Sequence, residues 1–143
     1  MIDREMGWYV TPVSVKAIAF TTGGGVVLVR NERCEWELPG GWPDETDRSL
    51  EDALRREIAE ELSVAVGGLR LTGATLFEPI PGRRVTLIFY SCIVGTTDFR
   101  LSSEHIDVLV ADPAALPDDL APTYAHAITE SVAIAGDRHR PAL

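Results

Sequence analysis

The stretch Gly41-Trp42-Pro43-Asp44-Glu45-Thr46-Asp47-Arg48-Ser49-Leu50-Glu51-Asp52-Ala53-Leu54-Arg55-Arg56-Glu57-Ile58-Ala59-Glu60-Glu61-Leu62-Ser63-Val64 decides how the rest of the chain reads. Its second half predicts a helix over Ser49 to Leu62. Ser49 is a suitable N-cap, and Glu51 and Asp52 sit in the first turn, where the helix dipole favours anions. Leu50, Leu54, Ile58 and Leu62 recur every four residues and form one apolar stripe. On such a helix Glu57, Glu60 and Glu61 fall within an arc of roughly 100°. Leu50, Ala53 and Leu54 lie on neighbouring bearings, so the carboxylates border the buried stripe. Arg56, one turn before Glu60, is placed to add an ion pair that fixes the array.

Three carboxylates on one arc repel one another unless something positive sits between them. Charges held at a packed edge are costly without a partner. A hard cation with oxygen ligands, Mg²⁺ or Mn²⁺, suits acids at these spacings. The same residues also fit a solvated charged face braced by Arg55 and Arg56. Taken alone, the helix leaves both readings open.

Outward from this helix, Val13 to Phe20 and Val26 to Val29 read as strands around the turn Thr21-Thr22-Gly23-Gly24-Gly25, a hairpin. Glu35-Trp36-Glu37-Leu38 is a short extended piece ending at Pro39-Gly40-Gly41. Gly67-Gly68 closes the helical segment. Leu69 to Phe77 and Arg84 to Val94 follow as strands parted by Pro79-Ile80-Pro81-Gly82, and Ile106 to Val110 is another. Thr123 to Ala135 predicts a second helix with Ala125, Ile128, Val132 and Ala135 turned inward. Strands, helix, strands, helix imply a mixed sheet with helices against it, of α/β or α+β type.

The 143 residues are the size of one domain, and no repeat, linker or low-complexity tract divides them. A hydrophobic fraction of 45% and a charged fraction of 24% exclude disorder and a fibrous repeat. No apolar run reaches a membrane span, and Met1-Ile2-Asp3-Arg4-Glu5 has no signal-peptide character. Cys34 and Cys92 form no CxxC pair and suggest reduced thiols in a cytoplasmic protein. Twenty-two acidic against 13 basic side chains give a net charge of −9, which argues against nucleic acid as a partner. An acidic protein that handles a phosphorylated ligand needs cations to neutralise both, although surplus acid also serves solubility alone.

From Gly41 through Val64 the chain resembles the Nudix hydrolase signature, G-x5-E-x7-R-E-U-x-E-E-x-G-U, with U a bulky aliphatic. Arg56-Glu57-Ile58-Ala59-Glu60-Glu61 matches R-E-U-x-E-E at every position, Val64 fills the last aliphatic place, and Trp36-Glu37-Leu38-Pro39-Gly40-Gly41 resembles a common lead-in. Two positions depart from the pattern. Gly41 and Arg56 are 15 residues apart where the signature has 14, so the first signature glutamate falls on Asp47 or Arg48. Asp47 can substitute as a weak auxiliary ligand, with Arg48 turned to solvent or substrate. Ser63 replaces the signature glycine.

The resemblance implies a single Nudix domain over residues 1–143, built as an α/β/α sandwich around a mixed sheet. It implies a MutT-like pyrophosphohydrolase that uses Mg²⁺ or Mn²⁺ on a nucleoside diphosphate linked to another moiety. The alternative is a non-catalytic nucleotide sensor of the same fold, which the replaced glutamate favours. Carried onto this chain, Glu57, Glu60, Glu61 and the Gly41 carbonyl are the metal ligands. Arg56 orients them, and Glu104 is a further acid from a later loop, or else an ordinary loop residue. Pro79, 15 residues beyond Val64, resembles the proline of ADP-ribose-hydrolysing members, although those chains are typically longer. A homodimer is left open. Trp42 is the better candidate for stacking on a base, while Trp36 is expected to pack. His105, beside Glu104, is expected at the surface or else against substrate, and His126 and His139 in structural or solvated places.

Overall fold

The computed structural model describes residues 2–138, so His139 lies outside the described residues. The elements run β1 (Val13–Phe20), β2 (Val26–Arg30), β3 (Trp36–Glu37), β4 (Gly40–Gly41), α1 (Leu50–Leu62), β5 (Val66–Ile80), β6 (Arg83–Val94), β7 (Asp107–Ala111) and α2 (Pro122–Arg138). They form one seven-stranded mixed sheet with the path β3-β2-β1-β6-β5, β4 pairing with β1 and β7 with β2. No helix among the described residues is long and apolar enough to cross a membrane.

The sheet is covered on both faces. Val15, Ala17 and Ala19 of β1 and Val27 and Val29 of β2 pack with Ala53, Leu54, Ile58 and Leu62 of α1. The alternate residues Ile18, Val26 and Leu28 pack with Leu120, Tyr124, Ala127 and Ile128 on the α2 side. The period of two along the strands thus separates two cores, one under each helix. This is the expected α/β/α sandwich.

The hairpin turn is held by the Thr21 N–H donating to the Gly25 carbonyl at 2.9 Å and Gly24 N–H to Thr21 at 3.0 Å. Its strands pair at Phe20 with Val26. Further along, β1 takes Gly40–Gly41 as its neighbour (Lys16 opposite Gly40, Val15 opposite Gly41), while β2 takes β3 and β7. This branching brings the glycine loop beside the middle of the sheet. On its other side β1 runs parallel to β6, from Val13 opposite Thr86 to Phe20 opposite Ile93.

Two details of the sequence reading change. Gly67-Gly68 does not end an element, because β5 already begins at Val66. Gly68 has φ +63°, and the register against β6 shifts between Gly67 and Arg70, so the pair marks a bulge instead of a break. The buried face of α2 is Tyr124, Ala127, Ile128 and Ser131, whereas Val132 is 42% exposed and Ala135 is exposed. Tyr124 sets that rotation: its ring lies 5.3 Å from that of Phe77, and the small Ala127 and Ser131 follow it inward.

Candidate active site

Helix α1 starts as its sequence dictates, with the Ser49 Oγ accepting the Asp52 N–H at 3.0 Å. It ends at Ser63 in the left-handed region (φ +57°), where glycine is the usual choice; the Ser63 N–H reaches the Ala59 carbonyl and its Oγ donates to the Arg100 carbonyl at 3.3 Å. With its apolar stripe fixed against the sheet, the carboxylates face the glycine loop at graded depth. Glu61 is 3% exposed, Glu57 is partly buried, and Glu60 is exposed.

Arg56 ties this array together. Its guanidinium donates to both oxygens of Asp47 (2.8 and 3.1 Å), to Glu57 at 3.1 Å, to both oxygens of Glu60 at 3.3 Å and to the Trp42 carbonyl at 3.0 Å. A planar fork matched to a carboxylate is the geometry that arginine offers and lysine does not. Asp47 is therefore engaged with Arg56 through both oxygens, and it also accepts the Asp44 N–H at 2.7 Å. The pairing with Arg56 is a part that the sequence reading did not give Asp47. Arg48 is exposed.

The glycine loop meets the helix closely. The Gly40 N–H donates to the buried Glu61 carboxylate at 2.9 Å. A Cβ on Gly41 would lie 2.5 Å from the Glu57 carboxyl carbon, so only glycine lets the loop rest on that group. Burial pushes the Glu61 pKa up to about 7, against the Gly40 bond and the charges of Lys16 and His105. Burial also raises Glu57, with Arg56 opposing. Burial thus holds both inner carboxyl groups toward their neutral forms.

The later loop is carried to the same place by the end of α1. The Arg100 and Ser102 N–H groups donate to the Leu62 and Glu61 carbonyls, each at 3.0 Å, and Ile106 N–H donates to the Arg30 carbonyl at 3.0 Å. Glu104 comes out exposed at the site. His105 corrects the expectation of a surface residue: it is 8% exposed, and its Nε2 lies 3.0 Å from Glu37 Oε1. One ligand atom each from Glu61, Glu104 and His105 lie within 4.8 Å of one another.

Two further residues went unread in the sequence. Lys16 is buried on β1 facing the acids; burial works against its charge, but Tyr124, Glu37, Glu61 and Glu57 outweigh this and raise its pKa. A single lysine inside the apolar run Val13–Phe20 was the available signal. Glu37 is partly buried, which works against its charge, yet the His105 hydrogen bond, the Lys16 charge and the Asn31 amide hold its pKa below the usual carboxylate value. Lys16, Glu37, Gly40, Gly41, Glu57, Glu60, Glu61, Glu104 and His105 line one cleft of about 1170 Å³. The same cleft is lined by Tyr9, Trp42, Phe77 and Arg84, with the Arg84 guanidinium 6.0 Å from the Tyr9 ring centroid. Trp42 is 56% exposed there, as a stacking residue requires; Trp36 packs instead, with Arg30 over its ring at 5.3 Å.

The site is a glycine loop set against an arginine-braced row of glutamates, on a sheet between two helices. The NUDIX domain family pattern matches residues 10–130, and the chain belongs to that family, whose hydrolases act on phosphoric anhydrides. Comparison with curated protein sequences gives no significant match. Among solved structures, the fold is similar to the NUDIX domain of Shewanella oneidensis NrtR complexed with ADP ribose (TM-score 0.77, 21% identity, 93% of each chain covered). It is also similar to a MutT NUDIX hydrolase from Burkholderia pseudomallei (TM-score 0.74, 22% identity, 85% of this chain and 98% of that one). A third is a C. elegans Ap4A hydrolase (TM-score 0.75, 14% identity, 89% and 99%). At these identities the likeness establishes the fold alone.

Proposed function

We propose that this chain is a divalent-metal-dependent hydrolase that cleaves the pyrophosphate linkage of a nucleoside diphosphate joined to another moiety, working in the cytoplasm. The observation that carries this reading is the row Glu57, Glu60 and Glu61 braced by Arg56 against Gly40–Gly41. The donor set fits Mg²⁺ or Mn²⁺: it is all oxygen, partly buried, and richer in negative charge than its own cations balance. Glu57, Glu60, Glu61 and the Gly41 carbonyl would hold the cation, with Glu104 alongside. When bound, the cation supplies Lewis acidity toward phosphoryl oxygens and lowers the pKa of water. Arg56 keeps the glutamates in place, Lys16 offers a buried positive charge to a phosphate, and the aromatic side chains lining the cleft offer faces to a base. The relatives named above, bound to ADP ribose or acting on Ap4A, are consistent with a nucleotide ligand. The Asp47–Arg56 pair favours this reading over a non-catalytic sensor, because the acid missing from the signature has a replacement at Arg56.

A phosphate-release screen over nucleotide sugars, dinucleoside polyphosphates and nucleoside di- and triphosphates, with Mg²⁺ and Mn²⁺, tests the proposal. Turnover of the best substrate is expected to vanish in excess chelator and to return with either cation. Full turnover in chelator refutes metal dependence, and tight nucleotide binding without turnover under every condition selects the sensor.

Gly41→Ala is expected to displace the Glu57 carboxylate and cut turnover by about a hundredfold, the scale of a misplaced catalytic group. Its melting temperature should change little, since the side chain it meets is the movable end of a glutamate. Gly40→Ala should do the reverse and destabilise the fold, because its φ is +142° and a Cβ would strike the Val15 carbonyl. Thermal melts and initial rates on both variants separate the two glycines.

A further inference from the structure

We propose that His105 is a nitrogen ligand to a divalent cation shared with Glu61 and Glu104, and that this corner of the site favours a first-row transition cation such as Mn²⁺ over Mg²⁺. The inference rests on the metal-dependent reading above and adds to it a ligand of a different chemical kind. Glu61, Glu104 and His105 each place a ligand atom within 4.8 Å of the other two. Acids alone would not make a site, but the histidine is enclosed (8% exposed), and its two ring nitrogens are not equivalent. Nε2 is engaged with Glu37 Oε1 at 3.0 Å, and Glu37 is itself fixed by the Asn31 amide at 3.2 Å. Nδ1 is buried and has no hydrogen-bond partner among the described residues.

An ionised carboxylate only accepts, so Glu37 holds a ring proton on Nε2, and whenever the ring is neutral its lone pair lies on Nδ1. Carboxylate, histidine and metal in series is the arrangement that orients a ligating imidazole. If His105 merely tied the loop to β3, the Glu37 bond would suffice; a cation gives the second ring nitrogen a partner as well. An imidazole beside carboxylates suits transition cations, whereas Mg²⁺ keeps to oxygen ligands and water.

The test uses the full chain with one equivalent of Mn²⁺ and pulsed electron paramagnetic resonance. The wild type is expected to show nitrogen coupling to Mn²⁺ that changes from the ¹⁴N to the ¹⁵N pattern when only the histidines are ¹⁵N-labelled. His105→Gln should abolish that coupling and weaken Mn²⁺ binding about tenfold or more by calorimetry, with a smaller effect on Mg²⁺. If that variant does not fold, the labelled wild type still decides the question. Absence of histidine coupling in the wild type with Mn²⁺ bound overturns the proposal, as does coupling that persists in His105→Gln. Chelator-sensitive turnover without histidine coupling removes only the His105 assignment; chelator-resistant turnover removes the metal reading itself.

Discussion

Glu60→Gln and Glu61→Gln are each expected to lower turnover of the best substrate by about a hundredfold or more, equivalent to roughly 3 kcal/mol of transition-state stabilisation. Each exchange keeps the side-chain shape and removes one negative charge. Stability should respond differently at the two positions. Glu60 is exposed and meets Arg56 at 3.3 Å, a surface contact of small energetic weight. Glu61 is buried, and glutamine keeps an oxygen for the Gly40 N–H while relieving the confined charge. In metal-free buffer the melting temperature of Glu61→Gln should therefore hold or rise. Rates and melts measured on the same preparations check both statements. A variant that melts many degrees early yet keeps its rate would make that glutamate structural.

Ile58→Ala is expected to cost about 2–5 kcal/mol of folding stability, with Ile58→Val losing only about 0.5–1.5 kcal/mol. Ile58 is fully buried between α1 and the sheet, in the cluster holding Val15, Leu54 and Leu62. Truncation to alanine leaves a cavity that a packed helix and a paired strand cannot close. For a domain of this size the melting temperature should fall by roughly 10 °C. Turnover well below the transition should survive in part, because the carboxylates are held by Arg56 and the Gly40 N–H and make no bond to Ile58. Calorimetry with matched activity assays at low temperature decides this. An unchanged melting temperature would mean that α1 is not anchored through this stripe.

The sequence made α1 and its carboxylates legible because local rules govern them: a serine cap, a four-residue apolar repeat, and acids at i, i+3 and i+4. The Ser49 cap and the buried Leu54, Ile58 and Leu62 appear where those rules place them. The strands were legible in outline for the same reason. The inner half of the site was not. Lys16, Glu37 and His105 come from β1, β3 and the loop before β7, and only the branching of the sheet brings them together. Asp47 was ambiguous because a one-residue insertion defeats counting, and its partner was settled by which acid reaches Arg56. On α2 the apolar count pointed at Val132, while one aromatic contact, Tyr124 on Phe77, set the buried face.

The parallel pairing of β1 with β6 has a consequence for the order of folding. Each partner lies 73 residues away in the chain, from Val13 with Thr86 to Phe20 with Ile93. By contrast, the Asp47–Arg56 pair and the Ser49 cap close loops of only a few residues. During synthesis the glutamate helix is made long before the strand that completes the sheet beneath it. Contacts of such separation carry a large loop-closure cost and slow the folding step that forms them. A nascent chain that ends at Val64 thus carries every signature residue without the central strand pairing. Catalytic competence should arrive in one late event, in step with β6, and a refolding experiment should see activity and β-sheet signal return with a single time constant.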